Sequence, residues 1–116
     1  MNSQDRIRKN RIFKKVYSKG RYFAEEYLVL YILKRDEPSN KIGYSVSKKV
    51  GNSVVRNRVK RLMKENFRKV CNELKKGYYI GFTARVKSKD ANYYDIEKSM
   101  KSALKRARLI KYKEVN

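Results

Sequence analysis

The sequence has no histidine, no tryptophan, one cysteine and one proline among its 116 residues. Without histidine there is neither a serine-histidine triad nor a histidine general base, and one cysteine supplies neither an internal disulfide nor a cysteine/histidine zinc site. Acidic residues are also scarce, at 11 Asp and Glu, and they are scattered. We therefore expect no catalytic residue and no metal ligand in this chain, which argues against an enzyme that works alone.

Long apolar stretches are missing as well. The longest apolar run, Tyr27 to Leu33, is much too short to cross a bilayer, and the first ten residues lack the apolar stretch of a secretory signal. We expect a cytoplasmic protein with no membrane partner. The length fits one domain over residues 1–116, and the sequence shows neither a linker nor an internal repeat.

Basic residues are abundant. The chain has 32 Lys and Arg, and its formal net charge is +21. The self-repulsion of such a charge is relieved by a polyanion. Nucleic acid is therefore the leading candidate partner.

Hydrophobic periodicity predicts the element order α, β, β, α, β, α, with a further short strand near Tyr22 to Ala24. The first predicted helix covers residues 10–20, and the longest runs from the Gly51-Asn52-Ser53 segment to Gly77. Residues 36–40 are predicted to form a hairpin turn between two strands. The passage from Ile42 to Arg85 predicts a βαβ unit beside that hairpin. The fold class is thus α/β (α+β), a two-layer sandwich of a mixed sheet of about four strands with three helices.

The longest predicted helix carries a dense basic row. Arg56, Lys60, Lys64 and Arg68 stand at i+4 spacing, where like charges repel, and Glu65 is the one acid between Lys48 and Arg68. A solvated helix face is the ordinary interpretation of a charge run, but it does not explain repulsion without compensating acids. We predict that this segment binds an RNA backbone through Lys48, Lys49, Asn52, Arg56, Asn57, Arg58, Lys60, Arg61, Lys64 and Arg68.

A second candidate surface combines aromatic and small side chains. Phe13 and Tyr17 lie one turn apart on the first predicted helix, and Tyr31 lies on a strand. The strand next to it in the predicted hairpin has a flat face of small residues, Gly43, Ser45 and Ser47. If the first helix packs across one edge of the sheet, a groove results with aromatic walls and a floor of these small residues. Such a groove suits unstacked single-stranded bases. A core role for Phe13 and Tyr17 fits the composition equally well.

The residues from Lys48 to Arg61 resemble the signature of the protein subunit of bacterial ribonuclease P. The centre of the string is the Arg-Asn-Arg triplet at 56–58, followed by Lys60 and Arg61. The resemblance covers nearly the whole chain, from Lys9-Asn10 with Phe13 and Tyr17, through Gly20, Ser45-Val46-Ser47-Lys48-Lys49 and Ala84-Arg85, to the last helix. In the family a proline often follows the arginine that corresponds to Arg85, and the sequence Arg85-Val86-Lys87 lacks it.

The resemblance implies a fold like the second domain of ribosomal protein S5, with a left-handed βαβ crossover that runs against the usual rule. It implies that the protein binds a large catalytic RNA and that the two together cleave precursor tRNA to free its mature 5′ end. The triplet region would then contact that RNA, and the groove would take the single-stranded 5′ leader. Mg²⁺ held by the RNA and substrate phosphates would serve phosphodiester hydrolysis. No obligate protein partner is evident from the residues themselves.

Two other classes of RNA- or DNA-binding protein fit part of these observations. A ribosomal protein or general RNA chaperone would account for the charge and size, but it leaves the Arg56–Arg61 string and the groove as coincidence. A helix-turn-helix DNA reader fits less well, because the basic helix has no clear partner helix just before it.

Overall fold

The structure, a computed structural model, describes residues 6–8 and 10–110. Lys9 and the first five residues, which entered the sequence arguments above, lie outside that part. The elements follow in the order α1 (Asn10–Lys19), β1 (Arg21–Ala24), β2 (Leu28–Lys34), β3 (Lys41–Ser45), α2 (Ser53–Val70), β4 (Tyr78–Ala84) and α3 (Tyr93–Arg106). Short 3₁₀ helices follow α2 at Cys71–Glu73 and β4 at Val86–Asp90. The second of these forms the loop in which the family's proline is missing.

The strands form one mixed sheet in the order β1-β2-β4-β3. β2 pairs antiparallel with both β1 and β4, and β3 pairs in parallel with β4. The short strand expected near Tyr22 to Ala24 is confirmed as β1, and the βαβ unit is confirmed as β3-α2-β4. The predicted hairpin between β2 and β3 is wrong, because β4 lies between those two strands.

The segment predicted to be a hairpin turn, residues 36–40, instead contacts the chain that leads into β4. The Asn40 side-chain amide donates to the carbonyl oxygen of Lys75 at 2.9 Å, and its oxygen accepts from the amide of Tyr78, also at 2.9 Å. The Arg35 amide donates to the carbonyl oxygen of Gly77, whose φ of 97° favours glycine. These bonds fix the chain that enters β4 and so guide that strand into place between β2 and β3.

The main core lies between the sheet and the pair α2 and α3. Leu28, Leu30 and Phe82 of the sheet are fully buried there. Met63 of α2 and Leu104 of α3 are fully buried against them. α1 lies on the opposite face of the sheet and contacts β2 and β4. The outer side of α2 and the α1 face of the sheet are therefore two separate surfaces.

Candidate nucleic-acid interface

The basic segment begins in the turn that joins β3 to α2. Lys48 and Lys49 are exposed in this turn. Asn52 is the N-cap of α2, and its side-chain oxygen accepts from the amide of Val55 at 3.0 Å. An N-cap of this kind satisfies one of the free amides of the first turn. Asn52 therefore has a structural role in capping α2, in addition to the RNA contact predicted for it.

The basic row of α2 carries positive charge that few neighbours neutralise. Arg56, Lys60 and Lys64 are half-buried, whereas Arg68 is exposed. Burial and the charges of Arg6 and Lys60 lower the pKa of Lys64. Among the described residues, the ion pairs use Glu25, Glu26 and Glu97 as acids and take no cation from the row.

Two further polar side chains of the predicted set lie on the solvent side of α2. Asn57 and Arg61 are exposed, and neither is drawn into a hydrogen bond to the rest of the described chain. Arginine can form paired hydrogen bonds to phosphate oxygens when its guanidinium is unengaged. Arg61 is thus the arginine of the triplet region most available to a phosphate.

Arg58 points in a different direction from Arg61. Its guanidinium nitrogens donate to the carbonyl oxygens of Ala91 at 2.8 Å and Lys89 at 2.7 Å. Arg56 likewise donates to the carbonyl oxygen of Gly51 at 2.9 Å. These bonds hold α2 to its own entry turn and to the 3₁₀ helix after β4. The sequence alone gave no indication that these two arginines are engaged within the protein.

The predicted aromatic residues come together on the opposite face of the sheet. The Phe13 ring packs directly over Gly43, where a Cβ atom would overlap the ring. The Phe13 and Tyr17 ring centroids are 5.9 Å apart, and the Tyr17 and Tyr31 rings meet edge to face at 4.6 Å. The Tyr17 hydroxyl accepts from the hydroxyl of Thr83 at 3.1 Å. Phe13, Tyr17 and Tyr31 are half-exposed and lie outside the main core cluster.

The floor of this groove differs from the prediction. Gly43 and Tyr31 do not lie on adjacent strands, because Gly81 of β4 is the register partner of both. Ser45 is half-buried and pairs with Thr83. Ser47 lies past the end of β3 and is exposed. The floor is therefore built from the glycines of β3 and β4, with Ser47 at the exit toward α2.

The sequence analysis missed Tyr22 as a member of this surface. Tyr22 is the register partner of Tyr31, their ring centroids are 6.1 Å apart, and Tyr22 is 67% exposed. Alternation along the predicted short strand could have identified it, since Tyr22 and Ala24 share one face. We define the aromatic row as Phe13, Tyr17, Tyr31 and Tyr22.

The two candidate surfaces meet at β3. Gly43 of this strand underlies Phe13, and the chain leaves β3 toward Lys48. The segment before α1 also contacts β3, since the Ile7 amide donates to the carbonyl oxygen of Ile42 at 2.8 Å. A single-stranded segment in the groove would thus lead to the basic surface of α2.

The described residues show neither clustered metal ligands nor a membrane-spanning helix. Residues 6–8 and 10–110 contain no group of three or more His, Cys, Asp or Glu side chains that could hold a metal ion. No helix within those residues is both long and apolar enough for a bilayer crossing.

Comparison of the sequence with known proteins gives consistent matches over nearly its full length. A family model described as Ribonuclease P matches residues 1–108. The ribonuclease P protein component of Clostridium novyi (strain NT) is 49% identical over 111 residues, which cover 94% of this chain and 98% of the relative. That of Clostridioides difficile (strain 630) is 50% identical over 101 residues, covering 86% of this chain and 89% of the relative.

Solved structures match the fold as well. The Staphylococcus aureus RNase P protein superposes with a TM-score of 0.83 at 35% identity, covering 90% of this chain and 96% of that chain. The RNase P protein from Thermotoga maritima gives a TM-score of 0.78 at 27% identity, covering 87% of this chain and 96% of that chain. These matches favour the family of the sequence resemblance over the ribosomal-protein and DNA-reader alternatives.

Proposed function

This chain belongs to the ribonuclease P protein family, and on that premise we propose how its two surfaces divide the work. As the protein component, it is a subunit of an endoribonuclease holoenzyme, associates with ribonuclease P RNA and has a role in 5′ processing of precursor tRNA. The observation that carries the proposal is the meeting at β3 of an unneutralised basic helix and an aromatic groove.

The outer side of α2 binds the backbone of the catalytic RNA. Arg61 and Arg68 are exposed and provide the direct phosphate contacts, together with Lys48 and Lys49 in the preceding turn. Lys60, Lys64 and Asn57 border this surface, while Arg56, Arg58 and Asn52 hold the start of α2 in position. Exposed cations that have no internal partner are free to replace the counterions of an RNA backbone.

The groove binds the single-stranded 5′ leader of precursor tRNA. Half-exposed aromatic rings over a glycine floor offer stacking faces at a depth that an unpaired base can reach. Ser45 and Ser47 lie along the route from the groove to α2 and can bond to the leader backbone. Because this route ends beside the catalytic RNA surface, the protein lowers the repulsion between substrate and RNA where the two meet.

The chemical step belongs to the RNA in this proposal. The donor set of the described residues does not fit a Mg²⁺ site, since their acids form no cluster. We assign Mg²⁺ to phosphates of the RNA and the substrate. The protein works as a single domain over residues 1–116, in the bacterial cytoplasm and without an obligate protein partner.

Cleavage of precursor tRNA by a bacterial ribonuclease P RNA tests the proposal. At low Mg²⁺ concentration, the protein is expected to restore cleavage that the RNA alone loses. Tyr31→Ala is expected to weaken holoenzyme binding of precursor tRNA by roughly 1 to 3 kcal/mol and to leave mature tRNA, which has no leader, unaffected. Equal losses for the two substrates would show that Tyr31 is a core residue and would end the groove assignment.

A further inference from the structure

We propose that Tyr22 provides an additional base-stacking position at the outer end of the groove, which is used by nucleotides of the 5′ leader far from the cleavage site. The inference rests on the proposed binding of the leader in the groove. It adds to that proposal a direction for the leader and a dependence on leader length.

Tyr22 has the geometry of a stacking platform. It is 67% exposed, whereas Tyr17 and Tyr31 are half-buried. Its ring lies 6.1 Å from the Tyr31 ring with the planes tilted by 36°, so Tyr31 supports it on one side. A large exposed aromatic ring costs solvation free energy that a stacked base would recover.

The position of Tyr22 in the sheet gives the leader its direction. The aromatic row crosses the strands from Phe13 over β3, past Tyr17 over β4, to Tyr31 on β2 and Tyr22 on β1. β3 leads to the basic surface of α2, and β1 is the opposite edge of the sheet. Nucleotides near the cleavage site therefore meet Phe13, and the row ends with Tyr22.

The surrounding charge also suits a polyanion along this path. Between Arg6 and Ala24 the sequence has eight basic residues and no acid. In the described part of this stretch, Arg11, Lys14 and Lys19 are exposed on α1 beside the row. A backbone that follows the row would have cations beside it and no carboxylate from this stretch.

Leader length is the variable that tests the inference. The holoenzyme is reconstituted with ribonuclease P RNA, and its affinity is measured for precursor tRNAs with a graded series of leader lengths and for mature tRNA. The variants are Tyr22→Ala, Tyr22→Phe, Tyr31→Ala and Tyr94→Ala. Tyr94 is a matched control, because it is 72% exposed and contacts a second tyrosine, but lies on α3 on the other side of the sheet.

Tyr22→Ala is expected to weaken binding of the longest leaders by about 5- to 10-fold, the low end of the range for one stacked base, because the ring has one face for a base and lies at the exposed edge of the sheet. Short leaders and mature tRNA are expected to bind as to wild type, and Tyr22→Phe is expected to keep the affinity. Tyr31→Ala is expected to lose affinity at a shorter leader length than Tyr22→Ala does.

Two outcomes would overturn the inference. In one, Tyr22→Ala matches Tyr94→Ala on the longest leader; in the other, it loses equally on mature tRNA. If Tyr31→Ala still shows a leader-dependent loss, the proposed groove stands and Tyr22 alone is excluded. If neither variant depends on the leader, the proposed groove is excluded as well. The melting temperatures of the free variants show whether each variant is folded.

Discussion

Arg58 of α2 donates a hydrogen bond of 2.8 Å to the carbonyl oxygen of Ala91, 33 residues later in the chain. A second bond from the same guanidinium reaches the carbonyl oxygen of Lys89 at 2.7 Å. Ala91 is buried and immediately precedes Asn92, the N-cap of α3. Arg58 therefore joins the two helices of the core layer through the segment that starts the second one.

Replacement of Arg58 by Ala is expected to destabilise the protein. Hydrogen bonds that involve a charged donor contribute about 1.5 to 3 kcal/mol each, and water offsets part of the loss at exposed Lys89 but not at buried Ala91, so we expect about 2 to 3 kcal/mol in all. Urea denaturation measures the change. Arg61→Ala is the control, with an expected change within about 0.5 kcal/mol because that side chain is exposed and unengaged. Equal stability of the two variants would contradict the assignment of Arg58 as an internal tie.

Replacement of Lys64 by Gln is expected to stabilise the free protein and weaken its RNA binding. The pKa of Lys64 is lowered, so its charged form is disfavoured in the folded chain, and this penalty persists at neutral pH where the lysine is protonated. The i, i+4 repulsion from Lys60 alone is about 0.2 to 0.5 kcal/mol, which corresponds to a melting temperature about 1 to 3 °C higher in the variant.

Lys69, on the same helix, supplies the control of opposite sign. Its ammonium group lies over the Tyr93 ring, 4.9 Å from the ring centroid, and Tyr93 raises the pKa of Lys69. Lys69→Gln is therefore expected to lower the melting temperature. A fall in melting temperature for both variants would refute the view that the basic row is held at a cost.

Salt dependence should report the exposed cations of α2. Each phosphate contact to a nucleic acid adds about 0.7 to 0.9 to the slope of log K against log salt. Changing both Arg61 and Arg68 to Gln is expected to reduce the slope for ribonuclease P RNA by about 1.4 to 1.8. A matched pair on α3, Lys98→Gln with Lys105→Gln, is expected to change it less. An equal reduction in both pairs would indicate that charge acts without regard to position.

Gly43→Ala is expected to displace α1 from the sheet. The added Cβ would overlap the Phe13 ring, and overpacking of this kind costs about 1 to 3 kcal/mol. Leader-dependent binding is expected to fall while affinity for the catalytic RNA stays near wild type. Ser45→Ala, on the same strand and face, is the control for the stability measurement only. Adding Phe13→Ala should recover stability but not leader binding; if it recovers neither, the collision with the ring is not the cause.

The general plan of this protein could be predicted from residue patterns because the governing interactions are local. Helical periodicity located α2, the density of β-branched and aromatic residues located β2, and alternation of apolar with small residues located β3. The pairing of strands depends on distant partners, and so the hairpin prediction failed. The bonds from Asn40 to Lys75 and Tyr78 at the entry to β4 join residues 35 and 38 positions apart and leave no periodic pattern.

The sequence predicted which residues form the candidate site better than it predicted their contacts. Spacing identified the basic row, but it could not show that Arg58 bonds to two carbonyl oxygens across the fold, since backbone acceptors have no sequence signature. Composition alone does not decide whether Phe13 and Tyr17 line a groove or belong to the core. Their half-exposed rings over Gly43 and Gly81 agree with a groove, but their contact with RNA remains a prediction.

The strand order also constrains when the protein can fold during its synthesis. β3 joins the sheet through β4, so residues 41–45 can enter the sheet only after residues 79–83 have been made. Until then the apolar side of α2 has no completed sheet to cover. A chain that stops short of β4 would thus expose the apolar side of α2, and its basic side could bind RNA without selectivity. The segment from β4 onward must therefore be made before the basic helix can be held on a completed sheet.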